Sequence, residues 1–436
     1  MERRDFDVIV VGAGPAGSAA AMVTAQGGAK VALLERGLYA GSKNLSGAGL
    51  YDTAMLERLY PNFHVEAPIE RYVTRKMLGF ITPDQLMSIS YQDDKKALAP
   101  YEGYTVLRPQ LDMWLAEKAV KAGAYLFTQS VVTDVIKENG AVKGVIVNDN
   151  EKLYAPVVIA ADGVNSFLAK AAGMQKEFHP HQMSLGVKEV ISLSRQTIEE
   201  RFQLKGNEGV AFELVGSVSG FANGGGFIYT HKDCISIGLV AQLSSLQASG
   251  HTPYQLMDDF KQHPAIVPMI AGGVTREYGG HLIPEGGYDC FSKLSDAGIM
   301  VTGDAAGMVL VTGYLLLGIN YAIESGALAA QNALNALAAN DFSKASMAGY
   351  NKLLNESGIL PTFKKFRKAP VNVVNNVHLQ NNYADLICNI MHNLYDVGNK
   401  PIPKVLPMAK GVLKESELSM GDVVKDVMKI GGALLW

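Results

Sequence analysis

Gly12, Gly14 and Gly17 follow the spacing G-x-G-x-x-G, with Pro15 and Ala16 inside the loop. Glycines spaced this way let a backbone turn tightly and approach a pyrophosphate, and an acid about twenty residues on takes ribose hydroxyls. Here the acid is Glu35, followed by Arg36. Gly12 is assigned the tight turn, Gly14 the close approach to phosphate, and Gly17 the packing of helix on strand. Two later acid–glycine pairs, Asp162-Gly163 and Gly303-Asp304, each end an apolar run. These residues point to dinucleotide binding, and the motif by itself leaves NAD and FAD both open. Gly272-Gly273 does not have the spacing of a second fingerprint. The chain is therefore expected to hold one dinucleotide tightly and to react with something other than a nicotinamide nucleotide docked in a second such domain.

The elements that position these residues follow from hydrophobic periodicity. Residues 8–11 read as a buried parallel strand, 18–25 as a small-residue helix, and 31–34 as a second strand. The helix N-terminus offers free N–H groups and partial positive charge to phosphates. A Gly- and Ser-rich loop carrying Lys43, Asn44 and Ser46 leaves the carboxyl edge of that sheet, where open α/β folds bind ligands. Residues 54–60 read as a short helix and 73–91 as strands. Residues 105–108 lead into a helix with Pro109 near its start and Leu111, Trp114, Leu115 and Ala119 on its apolar face. Strands are expected at 125–127, 131–137, 142–147 and 157–160. Residues 183–240 carry the β patterning of a substrate domain, 254–263 a short helix, and 298–304 a third strand ending in Gly-Asp. Residues 319–338 form an alanine-rich helix carrying Glu324, and the chain beyond Asp341 reads as mainly helical.

Composition narrows the function classes. With 436 residues, 48% hydrophobic and 19% charged, the chain is long enough for two or three domains, and a net charge of −3 gives no reason to expect nucleic acid. Cys234, Cys290 and Cys388 form no C-x-x-C set and read as buried small apolar residues. His179-Pro-His181 has no Cys or carboxylate set beside it, so no metal is expected. Residues 1–4 and the apolar run after them imitate a signal peptide, but the run enters the glycine motif directly, with no cleavage region. Residues 305–323 hold no charge, yet they include Gly307, Gly313, Gly318 and Asn320. They are expected to be buried or interfacial rather than membrane-spanning. The basic run Lys364, Lys365, Arg367 and Lys368, beside Phe363 and Phe366, reads equally as a solvated helix face and as a site for anionic lipid or an acidic partner.

Taken together, GAGPAG, ADGVNS and VTGDAAGM resemble the glutathione-reductase-like flavoproteins of the hydroxylase type. The resemblance implies an α/β fold: a Rossmann-type FAD-binding domain, an inserted antiparallel β-sheet quinone or substrate domain, and a helical C-terminal region. It implies FAD without a covalent link. Asp304 is then expected on the ribityl or pyrophosphate side, and the helix start at Gly318, Ile319 and Asn320 is expected to aim N–H groups at the flavin pyrimidine edge. Arg108 is expected to pair with pyrophosphate in bidentate fashion. Val132 completes the candidate cofactor set of Gly12, Gly14, Pro15, Ala16, Gly17, Glu35, Arg36, Lys43, Asn44, Ser46, Arg108, Asp162, Gly163, Gly303, Asp304, Gly318, Ile319 and Asn320. No catalytic acid or base is assigned.

Longer stretches narrow the resemblance. AGSKNLSGAGLY, VLRPQLDMWLAEKA, RFQLKGNEGVAFE, GGGFIYTHKDCISIGLV, DDFKQHPAI and EYGGHLIPEGG are similar to the electron-transfer flavoprotein:quinone oxidoreductase family, and most similar to its shorter FixC-type subunits. The similarity runs to about residue 330 and is weaker beyond it. Family members with a C-terminal ferredoxin domain ligate a 4Fe–4S cluster through cysteines, and here only Cys388 lies in that region. The resemblance therefore implies a separate small ferredoxin-like 4Fe–4S subunit, together with electron-transfer flavoprotein alpha and beta subunits. The assembly would bifurcate NADH electrons between a low-potential acceptor and menaquinone or ubiquinone at a membrane surface, with the chain on the cytoplasmic side. It implies an FAD-binding domain from 1–75, 105–180 and 281–335, a quinone domain from 76–104 and 181–280, and a helical region 336–436. The leading alternative is a geranylgeranyl-reductase-like enzyme reducing prenyl double bonds. Such enzymes are expected to carry a Tyr-x-Trp-x-Phe-Pro motif, and the corresponding strand here reads GGGFIYT, without tryptophan.

Overall fold

The computed structural model describes residues 3–44, 47–93, 102–175, 177–220, 222–313, 315–398 and 401–434. In chain order the strands of the first half are β1 (Val8–Val11), β2 (Val31–Leu34), β3 (Ala48–Tyr51), β4 (Ile69–Ile81), β5 (Leu86–Gln92), β6 (Gly103–Val106), β7 (Tyr125–Phe127), β8 (Val132–Glu138), β9 (Ala141–Val147), β10 (Glu151–Tyr154) and β11 (Val157–Ala160). Those of the second half are β12 (Met183–Ser192), β13 (Glu208–Gly216), β14 (Gly224–Thr230), β15 (Cys234–Gln242), β16 (Val274–Pro284), β17 (Ser295–Asp296), β18 (Ile299–Val301), β19 (Leu310–Val311) and β20 (Leu316–Leu317).

A six-stranded sheet runs in the order β17-β18-β11-β1-β2-β7, parallel from β18 to β7. Its central strands are short unbroken apolar runs, as strands buried on both faces must be, and every residue of β1, β2 and β11 is buried. The helix after β1 spans Pro15–Gln26, starting three residues before the expected position. Proline's fixed φ suits the first helical turn, where its missing N–H costs nothing. A second helix, Ile319–Ala339, packs alongside it: a Cβ on Gly326 would lie 2.1 Å from the Ala16 carbonyl oxygen. Ser325 fixes the same helix to the end of β18, because its Oγ lies 2.6 Å from Thr302 Oγ1 and accepts from Gly303 N at 3.2 Å. The first and last nucleotide stations of the chain are thus brought together.

The second large sheet has nine strands, ordered β16-β12-β15-β14-β13-β4-β6-β3 with β5 on β4. It is antiparallel except where β13 runs parallel to β4. It draws β3, β6 and the start of β4 from segments assigned by sequence to the FAD-binding unit, so one continuous sheet joins the two halves. Side chains alternate across it. One face carries Phe212, Ile228, Ile237 and Leu239, packed with Phe202, Leu256, Met257 and Phe260 into a separate core. The other carries Leu78, Glu213, Gly225, Tyr229, Val240, Lys188, Gly186 and His281, as the strand registers require.

The uncharged run 305–323 folds as a turn, Gly303–Ala306, then the β19–β20 hairpin and the first residues of the late helix. Among the described residues no helix is long and apolar enough to cross a membrane. The C-terminal region is helical and includes Asn382–Tyr395, Val405–Glu415 and Met420–Leu434. His179 and His181 stack at 5.4 Å, and among the described residues no group of three or more His, Cys, Asp or Glu is arranged to hold a metal.

Candidate functional site

A cavity of about 540 Å³ lies between the parallel sheet and the open face of the nine-stranded sheet. Gly12, Gly14, Pro15, Ala16, Glu35, Arg36, Lys43, Asn44, Arg108, Val132, Asp162, Gly163, Asp304, Gly318, Ile319 and Asn320 all line it. Gly17 and Gly303 do not. Gly17 is packed behind the loop, where a Cβ would stand 1.8 Å from the Gly12 oxygen, and Gly303 sits against Ala16 and Ala322 with φ +63°. Ser46 lies outside the described residues.

The three glycines of the fingerprint differ physically. A Cβ on Gly12 would lie 2.3 Å from the Ala161 oxygen, whereas one on Gly14 would meet nothing within 4 Å and would project into open space. The helix that begins at Pro15 has no side-chain cap, nor does the one that begins at Ile319. Two helix N-termini therefore present uncompensated N–H groups at the cavity, each an anion-binding end.

Glu35 ties the glycine loop to β2. Its Oε2 accepts from Ala13 N at 3.0 Å, and its Oε1 accepts from Gly37 N at 2.6 Å. A carboxylate has about four acceptor positions, so sites remain for ribose hydroxyls. Asp162 faces the cavity and also accepts from Ser166 Oγ and Leu168 N, which stabilises the turn after β11.

Arg108 has a partner that the sequence reading did not name. Its Nε and an Nη donate to the two oxygens of Asp112, each at 2.9 Å, and Asp112 is fully buried. Asn44 donates to the same carboxylate. Arg108 thus lines the cavity while making a bidentate pair with an acid one helical turn on, a spacing that was legible from i, i+4 geometry. Burial pushes the Asp304 carboxyl up and Arg108 pulls it back.

Lys188 and His281 were missed by sequence reasoning. Lys188 Nζ donates to Gly47 O at 2.6 Å. Burial, with repulsion from Arg108, lowers its pKa to about 7, and burial with Arg108, Lys188 and Arg36 lowers that of His281 to about 4. His281 is therefore neutral at neutral pH, and the repulsion between Arg108 and Lys188 in one cavity fits a group carrying negative phosphates. The open space at Gly14, the two uncapped helices and these cations together fit a dinucleotide.

The same cavity also has an aliphatic lining. Leu78, Val240, Ile283, Val309, Leu317, Val373 and Leu379 contribute to it, together with Gly224, Gly225 and Gly226. Polar groups interrupt it, among them Tyr51, Glu213, Tyr229, Gln380 and Glu285, whose carboxyl is bonded to Ser184 Oγ. Glu213 was detectable in sequence as an acid inside the apolar run GVAFELVG.

Comparison with known proteins adds three findings. Residues 5–210 match the family model described as FAD binding domain, and residues 183–283 match the model described as ETF-QO, ubiquinone-binding. The chain is 41% identical over 431 residues to Protein FixC of Salmonella typhimurium strain LT2, covering 98% of this chain and 99% of that protein. It is 40% identical over 434 residues to the probable electron transfer flavoprotein-quinone oxidoreductase YdiS of Escherichia coli K12, covering 100% of both. Among solved structures, a geranylgeranyl bacteriochlorophyll reductase-like protein of Thermoplasma acidophilum superimposes with a TM-score of 0.71 at 23% identity, covering 98% of this chain and 99% of that one. At that identity the likeness is one of fold.

Proposed function

Since the chain belongs to the FixC branch of the electron-transfer flavoprotein–quinone oxidoreductase family and is an FAD-dependent oxidoreductase, we propose that it accepts electrons from an electron-transfer flavoprotein and passes them to a membrane quinone. The observation that carries this reading is one cavity lined both by the charged nucleotide-loop residues and by aliphatic side chains and glycines. FAD, held by the nucleotide-loop residues, supplies reversible two-electron chemistry. Gly12, Gly14 and the helix starting at Pro15 would hold its pyrophosphate, Glu35 its ribose, and the helix starting at Ile319 its flavin end. The aliphatic lining would exclude water and receive the quinone ring.

The surface beside the cavity supports a lipid-borne substrate. Leu316, itself at the cavity, is exposed, as are Val371 and Val377, each two residues before cavity-lining Val373 and Leu379, and Val424, Val427 and Met428 are exposed on the terminal helix. An apolar rim of this kind suits peripheral docking on a membrane without a spanning helix. The basic run contributes less than its charge suggests, because Arg367 pairs with Asp289 at 2.7 Å. Electron-transfer flavoprotein alpha and beta subunits, and a separate ferredoxin-like 4Fe–4S subunit, complete the proposed assembly, in which NADH electrons are bifurcated.

Anaerobic absorbance of the purified holoprotein tests the reading. FAD is expected to bleach with NADH only when the electron-transfer flavoprotein is present, and to regain its colour when menadione is added. Rapid bleaching by NAD(P)H alone would overturn the proposal in favour of prenyl reduction.

A further inference from the structure

Reducing a quinone to its quinol adds two electrons and two protons at the two carbonyl oxygens, so a quinone site needs a proton source. Glu213 on β13 meets that need by position. It lines the cavity, and Tyr229 and Tyr51 line it too. In the β13–β14 register Glu213 stands opposite Phe227, so Tyr229, two residues on, is its diagonal neighbour on the same face. The Tyr229 side chain stands close enough to the Glu213 carboxyl for each to shift the ionisation of the other. On the outer side, β4 places Lys76 diagonally from Glu213 on the same face, and the Lys76 ammonium lies 4.9 Å from the centre of the Tyr51 ring.

We propose that Glu213 is the proton donor to the bound quinone, with Tyr229 as its hydrogen-bonding partner and Lys76 on the side from which it is reprotonated. The inference rests on the quinone-reducing reading above. In the balanced step, two electrons and one proton come with the reduced flavin. The second proton leaves the Glu213 carboxyl for a quinone oxygen, which leaves a carboxylate stabilised by the Tyr229 O–H. Water then restores the proton. No further oxidant or reductant is needed.

The groups around Glu213 support the assignment. Burial pushes its pKa up to about 7, while Lys76 and Tyr229 hold it down. Tyr51 on β3 stands close enough for its own ionisation to be opposed by Glu213. Tyr104 on β6 is buried in an aromatic cluster with Phe63 and Tyr72. The helices packed on the far end of β13 bring His378 and Tyr383, both bonded to Asp426, and Asp385. A carboxyl held near neutrality transfers a proton most effectively at neutral pH.

The test is stopped-flow reoxidation of the reduced holoenzyme by menadione between pH 5.5 and 9, with ferricenium as an acceptor that takes electrons and no protons. Wild type is expected to lose menadione rate as pH rises through about 7, when the carboxyl has no proton to give. Glu213→Gln is expected to slow menadione reduction roughly 100-fold and to abolish that inflection, with the ferricenium rate unchanged. Tyr229→Phe removes a hydrogen bond to the charged form, so it is expected to move the inflection to higher pH, which a merely structural role would not do. A Glu213→Gln variant with wild-type menadione rate and pH profile overturns the inference alone. A wild type reoxidised by ferricenium but by no quinone overturns the parent reading and the inference with it.

Discussion

Alanine substitution should separate the three glycines of the nucleotide loop into two kinds. At Gly17 the added Cβ would stand 1.8 Å from a backbone oxygen, and at Gly12 2.3 Å from another. Backbone cannot rotate aside as a flexible side chain can. Overpacking of this kind costs about 1–3 kcal/mol, and Gly12 adds the strain of φ +100°. Both variants should therefore be destabilised by at least about 2 kcal/mol in urea unfolding, whether or not FAD is present. Gly14 differs. Its φ of −75° and ψ of −173° are open to any residue, and its Cβ would meet nothing within 4 Å. Apo Gly14→Ala should be as stable as apo wild type, or more stable by about 0.4–1 kcal/mol through reduced unfolded-state entropy. The methyl group would occupy the space where pyrophosphate approaches, so FAD affinity should fall. A 100-fold weaker Kd would remove about 2.7 kcal/mol of ligand-linked stability at saturating cofactor. FAD fluorescence titration and urea melts of apo and holo forms measure both quantities. Unchanged FAD affinity in Gly14→Ala would refute the assignment of this loop to the pyrophosphate, and a destabilised apo form would refute the packing analysis.

Two further outcomes follow from the buried charges. Replacing Arg108 with alanine leaves Asp112 buried without its bidentate partner, which should cost about 3–5 kcal/mol; a urea midpoint within error of wild type would show that Asp112 is satisfied elsewhere. His231 is fully buried, with Nε2 2.8 Å from Ser236 Oγ, and burial followed by repulsion from Lys188 lowers its folded-state pKa to about 3. In the unfolded chain it takes up a proton near pH 6.5, so its contribution is complete above that pH and is lost as pH falls toward about 3. Thermal melts of His231→Gln against wild type should converge between pH 6.5 and pH 4, and parallel curves would refute the linkage.

The nucleotide site was legible because its signals are local. Gly12, Gly14 and Gly17 lie within a single strand–turn–helix, and the apolar runs 8–11, 31–34 and 157–160 are each long enough to declare a buried strand. The helix Ile319–Ala339 was found within one residue of its observed end. The misses have a different origin. Arg108 was named for the site, but its partner Asp112, one turn along the same helix, was not. Tyr51, Lys188, Glu213, Tyr229 and His281 come from five strands of one sheet.

The sequence by itself determined the dinucleotide cradle, the β-rich middle and the helical end, because turn chemistry and hydrophobic period act over a few residues. Only the tertiary structure decided which polar side chains share the cavity. In a β-sheet a shift of one residue in register sends every side chain to the opposite face. The pairing of Gly186 with His281, and of Glu213 with Leu78, is set by packing between segments far apart in the chain.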